Sequence, residues 1–118
     1  MIEAKEDFNN TWPFKANFFS GNGFKQHYVD EGRENKKVIL CLHGEPTWGY
    51  IYRHFIRELS KDFRVVVPDL MGFGKSETPK NKEYSLKTHV ENLENLVNYL
   101  KLENIYFVGQ DWGGPILG

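Results

Sequence analysis

Cysteine is scarce in this chain, and neither sign of charge is in excess. Cys41 is the single cysteine among 118 residues, so no disulfide closes within the sequence. It lies inside the apolar run Val38-Ile39-Leu40-Cys41-Leu42, where a lone thiol reads as a small buried hydrophobe rather than a nucleophile. Fifteen basic residues against sixteen acidic ones leave a net charge of −1. No basic patch or stripe is visible, so nucleic acid is not an expected partner. No stretch approaches the ~18 apolar residues of a membrane span, and no membrane association is expected. Met1 to Asn10 is polar and acidic and lacks the apolar segment of a secretory leader. The sequon Asn9-Asn10-Thr11 therefore reads as chance, and the expected location is cytoplasmic. No internal repeat is visible, and no metal or cofactor is called for.

What is present is an alternation of strand and helix patterns. Residues 1–12 read as a loose lead-in, with Trp12-Pro13-Phe14 as the first anchor. Phe18-Phe19-Ser20 and Lys25-Gln26-His27-Tyr28-Val29 read as two short strands, joined by the turn residues Gly21-Asn22-Gly23 into a hairpin. Val38 to Leu42 is continuously apolar, the mark of a strand buried on both faces. After the loop His43-Gly44-Glu45-Pro46-Thr47, a helix is expected from about Trp48 to Ser60, with Thr47 as N-cap. Tyr52, Phe55, Ile56 and Leu59 form its apolar face. Phe63 to Val67 is the next buried strand, ended by Pro68-Asp69 and followed by the glycine-rich Met71-Gly72-Phe73-Gly74. Ser85 is placed to cap a long helix reaching about Leu102, with a stripe of Leu86, Val90, Leu93, Val97 and Leu100. Asn104 to Val108 is the last strand. A hairpin followed by β-α-β-α-β implies a parallel α/β sheet with helices on both faces. Ligand sites in such sheets lie beyond the carboxyl ends of the strands. Three loops meet that condition: 43–47, 69–76 and 109–114.

The last of these loops carries the chemistry. Gly109-Gln110-Asp111-Trp112-Gly113-Gly114 fits the small-x-nucleophile-x-small pattern of a nucleophile elbow between strand and helix. The glycines keep side chains away from a sharp turn. The nucleophile position holds an aspartate, and this decides the reaction class. A serine needs a base to remove its proton. A carboxylate, with a reference pKa of ~3.9, is already ionised at neutral pH, and a following helix N-terminus favours that charge further. A carboxylate attacks saturated carbon by displacement, expelling a halide or opening an epoxide. A histidine-activated water then cleaves the resulting enzyme ester. Taken alone, Asp111 is equally a helix N-cap; the surrounding glycines, the apolar strand and the His43-Gly44 loop favour the nucleophile. Trp112 offers an indole N–H donor to a departing halide, or else packs beneath a lid.

An oxyanion hole in an α/β-hydrolase uses the backbone N–H after the nucleophile and one from the loop after the third strand. Here these are the N–H groups of Trp112 and Glu45. His43 reads as a structural residue that shapes its loop rather than as a general base. His27, His54 and His89 are given no chemistry. Gly74-Lys75-Ser76 resembles the end of a phosphate-binding loop, but the first glycine of that motif falls on Asp69, and Pro79 prevents a clean helix start. Nucleotide binding is rejected.

Several segments together resemble the haloalkane dehalogenases of the α/β-hydrolase superfamily. They are His27-Tyr28-Val29-Asp30-Glu31-Gly32, His43-Gly44-Glu45-Pro46-Thr47-Trp48, Tyr52-Arg53, Pro68-Asp69-Leu70-Met71-Gly72-Phe73-Gly74-Lys75-Ser76 and Gln110-Asp111-Trp112-Gly113-Gly114-Pro115. The match runs from Pro13 to Gly118. The resemblance implies that Asp111 is the catalytic nucleophile, that Trp112 binds the halide, and that the partners are water and a small halogenated or epoxide-type substrate. Glu45, after His-Gly, resembles the branch whose second halide donor is a tryptophan of the cap domain. It implies too that residues 13–118 are the N-terminal portion of the core. The catalytic histidine, its supporting acid and the cap are expected later in a longer chain, because the sequence ends seven residues after Asp111. The chain is therefore expected to be a fragment, inactive alone. Two rival readings stay open: an epoxide hydrolase with the same nucleophile, and a non-catalytic relative. Neither the substrate nor the oligomeric state is legible.

Overall fold

A computed structural model describes residues 2–44, 47–79 and 85–109. Their strands form one five-stranded sheet. The elements, in chain order, are β1 (Asn17–Phe19), β2 (Gln26–Glu31), β3 (Val38–Leu42), a 3₁₀ turn (Gly49–Tyr52), α1 (Arg53–Leu59), β4 (Arg64–Pro68), α2 (Leu86–Leu100) and β5 (Ile105–Gly109). The strands lie in the order β1-β2-β4-β3-β5. β1 and β2 form the expected antiparallel hairpin, β2 runs antiparallel to β4, and β3 is parallel to both β4 and β5.

The period of two along β3 builds the core. Val38, Leu40 and Leu42 face one side, where they join Val66 of β4 and Leu93 and Leu96 of α2. Ile39 and Cys41 face the other, with Val29, Val65, Val67, Tyr52, Ile56 and Trp12. Both faces are thus covered, which is why β3 is apolar at every position. Cys41 is fully buried, and burial pushes its thiol up to about 12, as suits a packing residue. At the other end of β2, Arg64 donates two hydrogen bonds to Asp30, at 2.8 and 2.7 Å. This fork fastens β2 to β4. No helix among the described residues is long and apolar enough to cross a membrane.

Some local expectations change. The lead-in is not loose. Ile2 N–H donates to the Gly74 carbonyl, and Trp12 is buried against Phe14 and Trp48. Thr47 does not cap a helix; its hydroxyl turns back to the Gly44 carbonyl at 2.7 Å. The following helix therefore starts as a 3₁₀ turn without a side-chain cap and becomes α-helical at Arg53. That tighter start rotates the apolar face, so Tyr52 and Ile56 are buried while Phe55 is 45% exposed. Ser85 does cap α2, accepting from Thr88 N–H at 3.1 Å. The buried face of α2 is shifted from the apolar stripe. Leu93 is buried and Val90, Val97 and Leu100 are half-buried, but His89, Asn92 and Leu96 lie deeper than that stripe implies. The Leu86 side chain lies outside the described residues. The stripe missed His89 and Asn92 because both are polar residues, which an apolar period passes over. α2 ends at Lys101, which takes a left-handed conformation with φ 55°.

Leu96→Ala in the full-length protein is expected to cost about 2–5 kcal/mol, the range for an unfilled core site. Phe55→Ala is expected to cost less than about 1 kcal/mol. Urea denaturation of the two variants checks the assignment of faces.

Candidate active site at the carboxyl rim of the sheet

Parallel pairing brings three strand ends to one rim. β3 ends beside β5 with Leu42 opposite Gly109, and β4 lies on the other side of β3. His43, Asp69 and the start of the Gly109 turn therefore leave the sheet side by side. The rim is held by buried polar groups.

Asp69 is the centre. Its side chain is fully buried. One carboxylate oxygen accepts from Gly49 N–H at 2.7 Å. The other accepts from Lys75 N–H at 3.0 Å and from His27 Nδ1–H at 2.8 Å. Its backbone carbonyl accepts from Gln26 Nε2 and Ser76 Oγ, and its N–H donates to the His27 carbonyl. Each oxygen of this buried carboxylate thus has a hydrogen-bond donor. Two glycines make room for it. A Cβ on Gly74, where φ is +54°, would press on the Asp69 carboxylate and on Trp48, and one on Gly49 would sit 3.0 Å from the other oxygen.

His43 is fixed with equal definition. A carbonyl only accepts, so the 2.8 Å contact to Gly44 O makes Nδ1 the donor. Nε2 then accepts from Leu70 N–H at 2.9 Å. With both ring nitrogens engaged in its loop, His43 has no lone pair to offer a water, and its expected structural role is what the geometry gives. The Gly44 carbonyl also receives Thr47 N–H at 3.1 Å and the Thr47 hydroxyl at 2.7 Å. Tyr52 adds a bond from its hydroxyl to the Leu42 carbonyl at 2.8 Å, its own pKa pushed up to about 12 by burial and, second, by Cys41.

The Gly74-Lys75-Ser76 segment is consumed by this network. Ser76 Oγ accepts from His27 N–H while donating to Asp69 O. Lys75 Nζ donates to the carbonyls of Ala4 and Glu6, both at 2.8 Å. Burial pushes the Lys75 ammonium below its ordinary value, with Asp69, Glu6 and Asp7 opposing. None of these groups faces outward to a phosphate, so the rejection of a nucleotide loop stands on geometry as well.

A model of the alpha/beta hydrolase fold matches residues 37–117, the span that holds β3 to β5 and the turn after it. The chain belongs to the α/β-hydrolase fold family. Haloalkane dehalogenase 2 of Mycobacterium bovis is 42% identical over 105 residues, covering 89% of this chain and 36% of the relative. A cis-3-alkyl-4-alkyloxetan-2-one decarboxylase of Shewanella oneidensis is 40% identical over 107 residues, covering 88% and 33%. Among solved structures, the tetrameric haloalkane dehalogenase DpaA from Paraglaciecola agarilytica superposes with a TM-score of 0.85 at 40% identity, over 90% of this chain and 38% of that one. Epoxide hydrolase VrEH1 from Vigna radiata reaches 0.79 at 32% identity, over 87% and 32%. The chain spans about a third of the length of the curated relatives it matches. The resemblance to haloalkane dehalogenases read from the motifs is thus shared by sequence relatives and by fold.

The residues that the motif marks as reacting groups, Asp111, Trp112 and Glu45, lie outside the described residues, as do Gly113 and Gly114 of the elbow. The described rim is their support on both sides: Gly109 ends β5, and Gly44 and Thr47 flank Glu45. Sequence reasoning placed Asp69 in a rim loop but gave neither Asp69 nor His27 a role in holding the rim. The signal was available for Asp69, an acidic residue directly after an apolar parallel strand and before a Gly-x-Gly loop. His27 carried no comparable mark.

His89 lies on the α2 side of this rim, buried. Burial, and then the nearby His43 ring, hold it below the ordinary imidazole value. The folded protein therefore binds fewer protons here than the unfolded chain as pH falls below ~6.5. Stability from this group is fully present above that pH and is lost on acidification through the folded-state value. Urea midpoints between pH 7 and 5 are expected to fall less steeply in His89→Gln than in the wild type.

Proposed function

We propose that the protein in which this chain works is a hydrolytic haloalkane dehalogenase, with Asp111 as nucleophile. The single observation that carries the reading is the β3–β5 register, Leu42 opposite Gly109. It sets the strand leading to Gln110-Asp111-Trp112 directly beside the strand leading to His43-Gly44-Glu45. In the first step an Asp111 oxygen bonds to the substrate carbon as the carbon–halogen bond breaks, and the halide leaves with the bonding pair. Trp112 N–H stabilises that anion. In the second step water adds to the ester carbonyl of Asp111, the alcohol departs, and the carboxylate is regenerated with release of one proton.

The oxyanion formed in the second step would be held by the backbone N–H groups of Trp112 and Glu45, each donor contributing roughly 2.7–4 kcal/mol. Three donors meet the carbonyl of Gly44, the residue before Glu45, and fix that shoulder of the loop. His43 and His27 are both committed to the rim network. The histidine that activates water, its acid and the cap residues are accordingly assigned to other parts of the full-length protein, with residues 13–118 as the N-terminal portion of its core. A cytoplasmic setting, where thiols stay reduced, suits the lone Cys41.

The epoxide hydrolase fold neighbour and the oxetanone decarboxylase relative keep two other substrates in view. The full-length protein is expected to release halide from short halogenated alkanes, and Asp111→Asn to abolish release while the protein remains folded. A single turnover in ¹⁸O-water is expected to place the label in the Asp111 peptide. Diol formation from epoxides, or decarboxylation of a β-lactone, without halide release would replace the dehalogenase reading.

A further inference from the structure

We propose that residues 2–14 form a positioning brace for the loop between β3 and α1, acting through Lys75 and the Trp48–Tyr50 pair. The inference rests on the reading above in so far as that loop carries an oxyanion donor. The arm is gripped by directional bonds and by rings.

The first grip is polar. Lys75 is 1% exposed, and its ammonium spends two of its three donors on arm carbonyls, Ala4 and Glu6. Burying an ammonium is costly unless its donors are met, so the arm is what makes this lysine tenable. The same residue's N–H holds one oxygen of Asp69, and the other oxygen holds Gly49 N–H. The bonds form a continuous path from the arm to the loop's C-terminal shoulder. Through Leu70, next to Asp69, the path also reaches His43 Nε2 on the other shoulder.

The second grip is aromatic and lands on the same shoulder. Phe8 lies 5.7 Å from the Trp48 ring and 5.4 Å from Tyr50, and Trp12 lies 4.9 Å from Trp48. The Thr11 and Tyr50 hydroxyls share a 2.6 Å hydrogen bond. Gly49 is thereby fixed through its N–H by Asp69 and through both neighbours by the arm. None of these arm contacts involves a proposed reacting group. Lys75 and Tyr50 are positioning residues, and their effect falls on the step that needs the loop.

The test uses the full-length protein with Lys75→Met and, as a milder variant that keeps every ring, Tyr50→Phe. Hydrogen–deuterium exchange is expected to quicken at the Gly49 and Leu70 amides in both. Rapid-quench kinetics on a haloalkane are expected to show halide displacement unchanged and hydrolysis of the Asp111 ester slowed by roughly tenfold, the scale of a slightly misplaced catalytic group, so that alkyl-enzyme accumulates. Unchanged exchange in both variants overturns the brace. Faster exchange with both chemical steps unchanged, or slowed together, overturns it as well. If the wild type releases no halide from any haloalkane, the dehalogenase reading fails, and the exchange result alone then decides the brace.

Discussion

The buried carboxylate of Asp69 holds together segments that are far apart in sequence. Gly49, Lys75 and His27 meet on its two oxygens, and Gln26 and Ser76 meet on its backbone carbonyl. Through these bonds the hairpin, the turn before α1 and the loop after β4 take fixed positions at one end of the sheet. Hydrophobic burial assembles the layers, as the two faces of β3 show, but it is non-directional. Orientation of the rim loops comes from charge-assisted hydrogen bonds in a dry setting, where each bond is stronger and each unmet group more costly than at the surface. The glycines at 49 and 74 follow from the same constraint, since the space a Cβ would take is occupied by that carboxylate.

The sheet was largely legible because its strands are short apolar runs bounded by turn residues. Val38–Leu42 and the β1–β2 hairpin stand where their patterns place them, and the Ser85 cap is where a serine before an amphipathic run belongs. What did not follow from pattern was polar burial. Apolar periodicity finds Leu93 but passes over His89 and Asn92, because a buried polar residue has no hydrophobic signature. The same limit applies to Thr47. Its side chain had two uses, a helix cap or a bond back to Gly44, and the second is the one it makes. The lead-in read as loose because it is polar along its backbone-rich length. Its attachment depends on carbonyls that meet Lys75, and sequence composition carries no mark of a carbonyl's partner.

For the candidate site, the motif points to a chemistry and the structure describes the rim beside it. The proposal of displacement at saturated carbon rests on an aspartate at position 111, whose reference pKa of ~3.9 leaves it ionised at neutral pH without a base. The relatives show how much a shared frame leaves open: a dehalogenase, a decarboxylase and an epoxide hydrolase all match the same span. The fold is therefore the common part, and function is argued from residues placed on it. His43 illustrates the difference. A histidine at the carboxyl rim of the sheet invites a catalytic role, yet its two nitrogens are given to Leu70 and Gly44.

The measurement that bears most directly on this account is the unfolding free energy of Asp69→Asn in the full-length protein. Asparagine keeps the shape, but whichever way its amide turns the NH₂ group meets an N–H donor, of Gly49 on one side or of Lys75 on the other. Leaving a buried donor unmet costs about 1–3 kcal/mol, and a loss of at least about 1 kcal/mol is the predicted result. A change below about 0.5 kcal/mol, within the range of ordinary surface substitutions, would show that the rim is held by packing alone and would contradict it.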